Sequence, residues 1–179
     1  GQNLDGWQGD VAGAAAKDGI LVHEEGKLYT AKTYENFILR FEFKTVKGGN
    51  NGVGIRTPAS GNPAYDGMEI QILDHDDARY ADIKPYQVHG SVYGVVPAKR
   101  VTLKPEGEWN TEEIVADGGH IKVTLNGEVI VDADISGITE TVDGKEHPGL
   151  HNKDGHIGFL GHGFRFEFRN LQVKELPKK

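Results

Sequence analysis

The sequence predicts an all-β chain, an antiparallel β-sandwich, on three observations. Short runs alternate apolar and polar side chains, turn residues separate them every 8–12 residues, and no amphipathic helix longer than a turn or two is present. The 25 glycines are too aperiodic for collagen and too interspersed with strand-like runs for disorder, and so read as turns. At 179 residues the chain suits one domain, 1–179, with a substantial core, and is too short for two ordinary ones.

The elements follow in order. In Asn36-Phe37-Ile38-Leu39-Arg40-Phe41-Glu42-Phe43-Lys44, Phe37, Leu39, Phe41 and Phe43 share one strand face while Arg40, Glu42 and Lys44 share the other. After the Gly48-Gly49 turn, Gly52 to Arg56 is a glycine-rich strand running into a Pro/Ser/Gly loop. Met68, Ile70 and Ile72 alternate with Glu69 and Gln71 in the next strand. Residues 75–100 are long, polar and aromatic, which predicts a functional loop region with one strand near His89 to Val95. Asn126-Gly127 joins His120–Leu125 to Glu128–Asp132 as a hairpin. Residues 136–154 form another loop, and Gly155 to Leu160 and Phe164 to Val173 are two closing strands.

A net charge of −7 and a pI near 5.6 argue against nucleic acid or an anionic membrane as the main partner, since both attract basic surfaces. With no cysteine, disulfides and thiolate zinc sites are ruled out. No apolar run approaches the ~18 residues of a membrane span. The abrupt start at Gly1-Gln2-Asn3-Leu4 suggests a trimmed mature form, so a missing signal peptide carries no information.

Three constellations could carry chemistry. The first is Glu69, Gln71 and Asp74: two carboxylates and an amide on a sheet face suit acid/base work on a sugar. Asp74 lies five residues after Glu69, so strict alternation puts it on the opposite face, and a β-bulge is expected to bring it round. Arg56, ending the neighbouring strand, could orient a carboxylate or substrate oxygen, or form a surface ion pair. The curved sheet of a jelly roll would supply the groove.

The second is Asp74-His75-Asp76-Asp77 with His89 and His162, donors that suit a divalent cation although no HExxH or EF-hand spacing is present; the alternative is a solvated loop. His162 stands out because Gly161 and Gly163 frame it between two strands. His147, His151 and His156 are expected to be mostly exposed. The third is the aromatics Trp7, Tyr86, Tyr93 and Trp109, which could stack on sugar rings; Trp109 equally suits a core position at a strand start.

Nine blocks in order resemble the 3-keto-disaccharide hydrolase domain family. They begin with Asn3-Leu4-Asp5-Gly6-Trp7, the Asn36–Lys44 strand, Asn51-Gly52-Val53-Gly54-Ile55-Arg56 and Tyr65 to Asp74. Gly90 to Tyr93, Gly107-Glu108-Trp109-Asn110, Leu125-Asn126-Gly127, His162-Gly163 and Phe168-Arg169-Asn170 complete the series. The resemblance covers nearly the whole chain and implies a concanavalin A-like jelly roll in commonly exported bacterial proteins, hence a secreted or periplasmic location. Related retaining β-glucanases carry Glu-x-Asp-x-x-Glu; here the spacing is kept as Glu69-Ile70-Gln71-Ile72-Leu73-Asp74, with an amide for the middle acid and a shorter last acid. The family name implies instead that a base removes the C2 proton of a 3-keto sugar and the C1 substituent leaves by elimination, followed by hydration. By resemblance Glu69 is the base, Asp74 or His162 the acid or metal ligand, and Arg56, Gln71, Asn51, Tyr93 and Trp109 bind substrate. The rival is a noncatalytic, lectin-like carbohydrate-binding module, because fold does not fix function; a structural or adhesion domain is a third reading, which requires a blocked groove.

Overall fold

A computed structural model describes residues 1–178. These described residues form ten strands: β1 (Trp7–Gly9), β2 (Ala14–Lys17), β3 (Ile20–Tyr34), β4 (Phe37–Lys44), β5 (Asn50–Thr57), β6 (Met68–Leu73), β7 (Asn110–Asp117), β8 (His120–Leu125), β9 (Glu128–Asp134) and β10 (Gly155–Glu175). One α-helical turn, α1 (Pro63–Asp66), precedes β6, and three single 3-10 turns complete the order. All pairings between these strands are antiparallel.

Two long strands hold the sandwich together. The first half of β10 pairs with β3 and β5, and its second half with β3 and β4, beyond which β7, β8 and β9 follow in sequence. The two closing strands predicted from sequence are thus one strand, bent by register shifts between His162 and Phe166 and between Arg169 and Gln172. The two glycines at that bend are required for different reasons, Gly161 by close approach and Gly163 by a left-handed backbone. A Cβ on Gly161 would lie 2.6 Å from the Glu25 Cα of β3, and Gly163 has φ +80°. Sequence reading passed over β3 altogether.

The alternating β4 phenylalanines point into the core as predicted. Phe41 meets Phe159 at 5.9 Å and Phe168 at 6.0 Å, while Phe159 and Phe168 lie 4.3 Å apart. Met68, Ile70 and Ile72 of β6 are fully buried on the same side. Asn126 and Gly127, at φ 50° and 86°, form the expected tight hairpin between β8 and β9.

The strand expected near His89 to Val95 is reduced to single bridges, Ile70↔Val92 and Val92↔Val96. That segment still caps the free edge of β6, because Gly90 N–H donates to the Gln71 carbonyl at 2.7 Å and Tyr93 N–H to the Glu69 carbonyl at 2.9 Å. All of β6 is therefore buried, including its polar face. Among the described residues, no helix is long and apolar enough to cross a membrane. Phe168→Ala should lower stability by about 3–5 kcal/mol, the usual range for a buried phenylalanine, read as a lower urea midpoint with an unchanged slope.

Candidate functional site

The site forms on the face of β5 and β6 turned away from the phenylalanine core. Alternation sends Glu69 and Gln71 to that face, and the paired residues on β5 are Gly54 and Gly52. The glycines leave the space that the carboxylate fills: a Cβ on Gly52 would lie 2.1 Å from Glu69 Oε1. A cleft of about 250 Å³ opens there, lined by Asn50, Tyr65, Glu69, Gln71, Tyr93 and His162. Asn62, Tyr80 and Gln87 stand at its margins. A larger depression of about 670 Å³ on loop residues 138–151 contains none of Glu69, Gln71 or His162.

Glu69 is 7% exposed, and no hydrogen bond or ion pair reaches its carboxylate among the described residues. Desolvation is the cause that pushes its carboxyl up to about 7. Such a group changes protonation near neutrality, as a general base or acid must. Beside it the Gln71 amide donates to Asn50 Oδ1 at 3.0 Å, which fixes both side chains and leaves further amide N–H groups for a ligand. Tyr93 is raised above the ordinary phenol value, mainly by burial, and its hydroxyl lies 3.4 Å from Gln87 Nε2. His162 keeps more than a third of its surface in water at the cleft mouth, and partial desolvation lowers its pKa.

Of the predicted residues, Glu69, Gln71, Tyr93 and His162 come together, and the others go elsewhere. Asp74 does not join Glu69: the β5–β6 register runs unbroken from Asn50↔Leu73 to Ile55↔Met68, so the expected bulge is absent. The chain turns off after Leu73, and Asp74 Oδ2 accepts the Gly48 N–H at 2.7 Å, tying down the turn before β5. Arg56 would face the cleft by alternation, but its φ of 49° redirects it. Its guanidinium is buried against the Glu35 carbonyl (2.8 Å), the Gly118 carbonyl (2.7 Å) and Asn36 Oδ1 (3.1 Å), where it closes one end of the sandwich. Asn51 points to the core side, where its Oδ1 accepts from the Gly52 and Leu160 amides. Trp109 is absent from the cleft lining and lies under Lys44 and Arg169, at 4.5 and 4.0 Å from its ring centre.

The acidic loop does not assemble a cation site. His75 Nδ1 accepts the His89 N–H, Asp76 pairs with Arg100, and Asp77 caps a 3-10 turn and pairs with Arg79. Among the described residues, no three histidine or carboxylate side chains are grouped so as to hold a metal ion. His89 instead faces Glu112 inside the sandwich at 3.2 Å, both side chains fully buried; the pair is off-line for a hydrogen bond, so we read it as a close contact. Of the histidines expected to be exposed, His151 is, but the His147 side chain is buried beside Asp143 and His156 is half-buried, with its Nδ1 2.7 Å from the Thr30 carbonyl oxygen. Tyr86 reaches the cleft only through its edge-on contact with Tyr93, and Trp7 packs on Phe159.

Sequence reading missed Asn50, Asn62, Tyr65, Tyr80 and Gln87. For Asn50 the signal was present: it shares the parity of Gly52 and Gly54. Tyr65 opens the Tyr65–Asp74 block, but it precedes the alternating strand, so the period assigns it to neither face. The others depend on where irregular backbone folds, which no periodicity encodes.

The fold and cleft put the molecule among antiparallel sandwiches that include carbohydrate-associated proteins. A carbohydrate-binding module from Bacillus subtilis aligns at TM-score 0.64 over 95% of this chain and 96% of its own, at 14% identity, a likeness of fold. A Parabacteroides distasonis protein, provisionally described as a glycosyl hydrolase, aligns at TM-score 0.87 with 32% identity, over 98% of this chain and 96% of its own. Residues 1–174 match the 3-keto-alpha-glucoside-1,2-lyase-like domain, and the chain belongs to that family. It is also 28% identical, over 92% of its length, to a 3-keto-disaccharide hydrolase of Bacteroides thetaiotaomicron, and spans 65% of that protein.

Glu69 is an acid raised in the folded state from 4.5 to about 7, so the folded form holds its proton more tightly than the unfolded chain does. That contribution to stability is complete below about pH 4.5 and is lost as pH rises through about 7. Glu69→Gln should therefore exceed the wild type by up to about 3 kcal/mol at about pH 8.5, and match it near pH 4; paired thermal melts at the two pH values check this. Arg56→Met should cost about 2–4 kcal/mol and leave ligand affinity in the cleft unchanged by calorimetry.

Proposed function

We propose that this protein cleaves the glycosidic bond of 3-keto glycosides, with Glu69 as the base that removes the C2 proton. The observation that carries this reading is a carboxylate with no cationic partner among the described residues, raised by burial to about 7, facing a polar cleft. A proton α to a carbonyl is within reach of such a base at neutral pH, whereas the C2 proton of an unoxidised sugar is not. The electrons of the C2–H bond pass into the C3 carbonyl as an enolate and then form the C1=C2 double bond as the C1–O bond breaks and the C3 carbonyl is restored, and water can then add to the unsaturated product. Asn50 and Gln71 supply amide N–H groups for sugar oxygens, and Tyr93 an apolar wall with a polar tip. The family and the Bacteroides relative support the substrate class.

The lack of a second carboxylate in the cleft lining, among the described residues, argues against ordinary two-carboxylate hydrolysis. Asp74, the intended second acid, is held at the Gly48 turn and is absent from the cleft lining. A noncatalytic sugar-binding role is the second reading, favoured by the amide-rich cleft wall.

Matched native and 3-keto glycosides, incubated with and without EDTA and followed by product analysis, test the proposal. Cleavage of the keto substrate alone is expected; cleavage of the native glycoside would overturn C2-proton abstraction, and binding without cleavage would favour the module. The rate on the keto substrate should fall as pH drops below about 7, because Glu69 is then protonated. Gly52→Ala should lower kcat by about 10²-fold by displacing the carboxylate and, because the added Cβ overpacks a buried face, lower stability by about 1–3 kcal/mol in thermal melts.

A further inference from the structure

Tyr65 enters the cleft from α1, and its hydroxyl has a partner from a distant loop. Lys145 Nζ lies 2.9 Å from the Tyr65 hydroxyl oxygen. An ammonium has only donors, so the phenol oxygen accepts from Lys145 and its own O–H remains free to donate. The loop carrying Lys145 is pinned at several points. Gly149 N–H donates to the Tyr65 carbonyl at 2.8 Å, and Asp143 N–H to the Gly94 carbonyl at 3.2 Å. His147, held 3.2 Å from Asp143, packs its ring on Tyr65 with centres 4.7 Å apart. A Cβ on Gly94 would lie 2.6 Å from Asp143 Oδ2, so this loop sits directly on the backbone next to Tyr93.

We propose that Tyr65 is the acid that protonates the departing glycosidic oxygen, and that Lys145 is the positioning residue that orients the phenol and carries the charge left on it. The inference rests on the C2-proton reading above and supplies the acid that Asp74 does not. Glu69 takes the C2 proton, the C1–O electron pair stays with the leaving oxygen, and that oxygen takes the Tyr65 proton. The products are an unsaturated 3-keto sugar and an alcohol. Tyr65 regains its proton from solvent, and Glu69 releases its own there. The side-chain hydrogen bond to Tyr65 raises the ammonium of Lys145, which keeps it charged throughout neutral pH.

The test compares 3-keto glucosides carrying an alcohol or a 4-nitrophenol at C1, with solvent deuterium exchange at C2 followed in parallel. A 4-nitrophenolate leaves without help. Tyr65→Phe should slow alcohol release by about 10²–10⁴-fold, slow 4-nitrophenolate release by less than about tenfold, and retain C2 exchange. Lys145→Met should show the same leaving-group dependence in weaker form, and Lys145→Arg should restore alcohol release. An equal loss on both leaving groups, or a full rate on the alcohol, overturns the role of Tyr65 while leaving Glu69 as base. Loss of C2 exchange in Glu69→Gln keeps that base assignment. If the wild type neither exchanges the C2 proton nor cleaves either glucoside, the functional reading and this inference fall together.

Discussion

The candidate site depends on a carboxylate that is largely desolvated at the floor of a cleft and, among the described residues, has no cation beside it. Taking a carboxylate out of water is expensive, and folded proteins normally offset that cost with an arginine, a lysine or several N–H donors. Glu69 has none of these; Arg56, the nearest candidate in the sequence, is turned away to Glu35, Asn36 and Gly118. The group answers by holding its proton to about 7. The arrangement needs three supports: glycines opposite the side chain on β5, an apolar row of Met68, Ile70 and Ile72 anchoring β6, and a loop sealing the strand edge.

Those supports link the fold to the site. β6 ends its sheet, and an uncovered edge would admit water along the backbone beneath Glu69. Residues 90–93 close that edge with hydrogen bonds to Glu69 and Gln71 themselves, so the segment that seals the strand also delivers Tyr93 to the cleft. On another side the bend of β10 presents His162 at the mouth, because Gly161 lets β10 lie against the β3 backbone. The cleft is thus assembled from strand pairings and loop closures distant in sequence.

What was legible in the sequence followed strict alternation. The Phe37–Phe43 face, the Asn126-Gly127 turn and the outward aim of Glu69 and Gln71 were all readable by period and turn chemistry. Failures occurred where the period is interrupted or was overridden. Arg56 shares parity with Gly54, but a left-handed φ sends it elsewhere. Asp74 required a bulge, and an unbroken register with a Gly48 hydrogen bond took its place. Asn51 was chosen because it opens a family block, although its neighbour Asn50 has the parity of the cleft face. β3 places Glu24, Glu25 and Gly26 in mid-strand, so its pattern resembles a loop; Gly161 and Gly163 made β10 look like two strands. Tyr65 and Lys145 are 80 residues apart, and only the folded 136–154 loop brings them together.

The cost of Glu69 also bears on the choice between catalysis and mere binding. A site that only recognises sugar hydroxyls gains nothing from a charge that must be desolvated before any ligand arrives. A glutamine in the same space would accept and donate hydrogen bonds without titrating near neutrality, and Gln71, two residues on, shows that this strand accommodates an amide. A base matched to neutral pH, by contrast, has to be raised, and burial without a cation is the direct means of raising it. The structure therefore carries a destabilising feature at the position where proton removal would use it, with the Gln71 and Asn50 amides beside it. Such local conflict between stability and side-chain choice is what functional sites show when the rest of the chain is consistent with its fold, and here the β4 face, the β8–β9 hairpin and the β10 bend are all consistent with theirs.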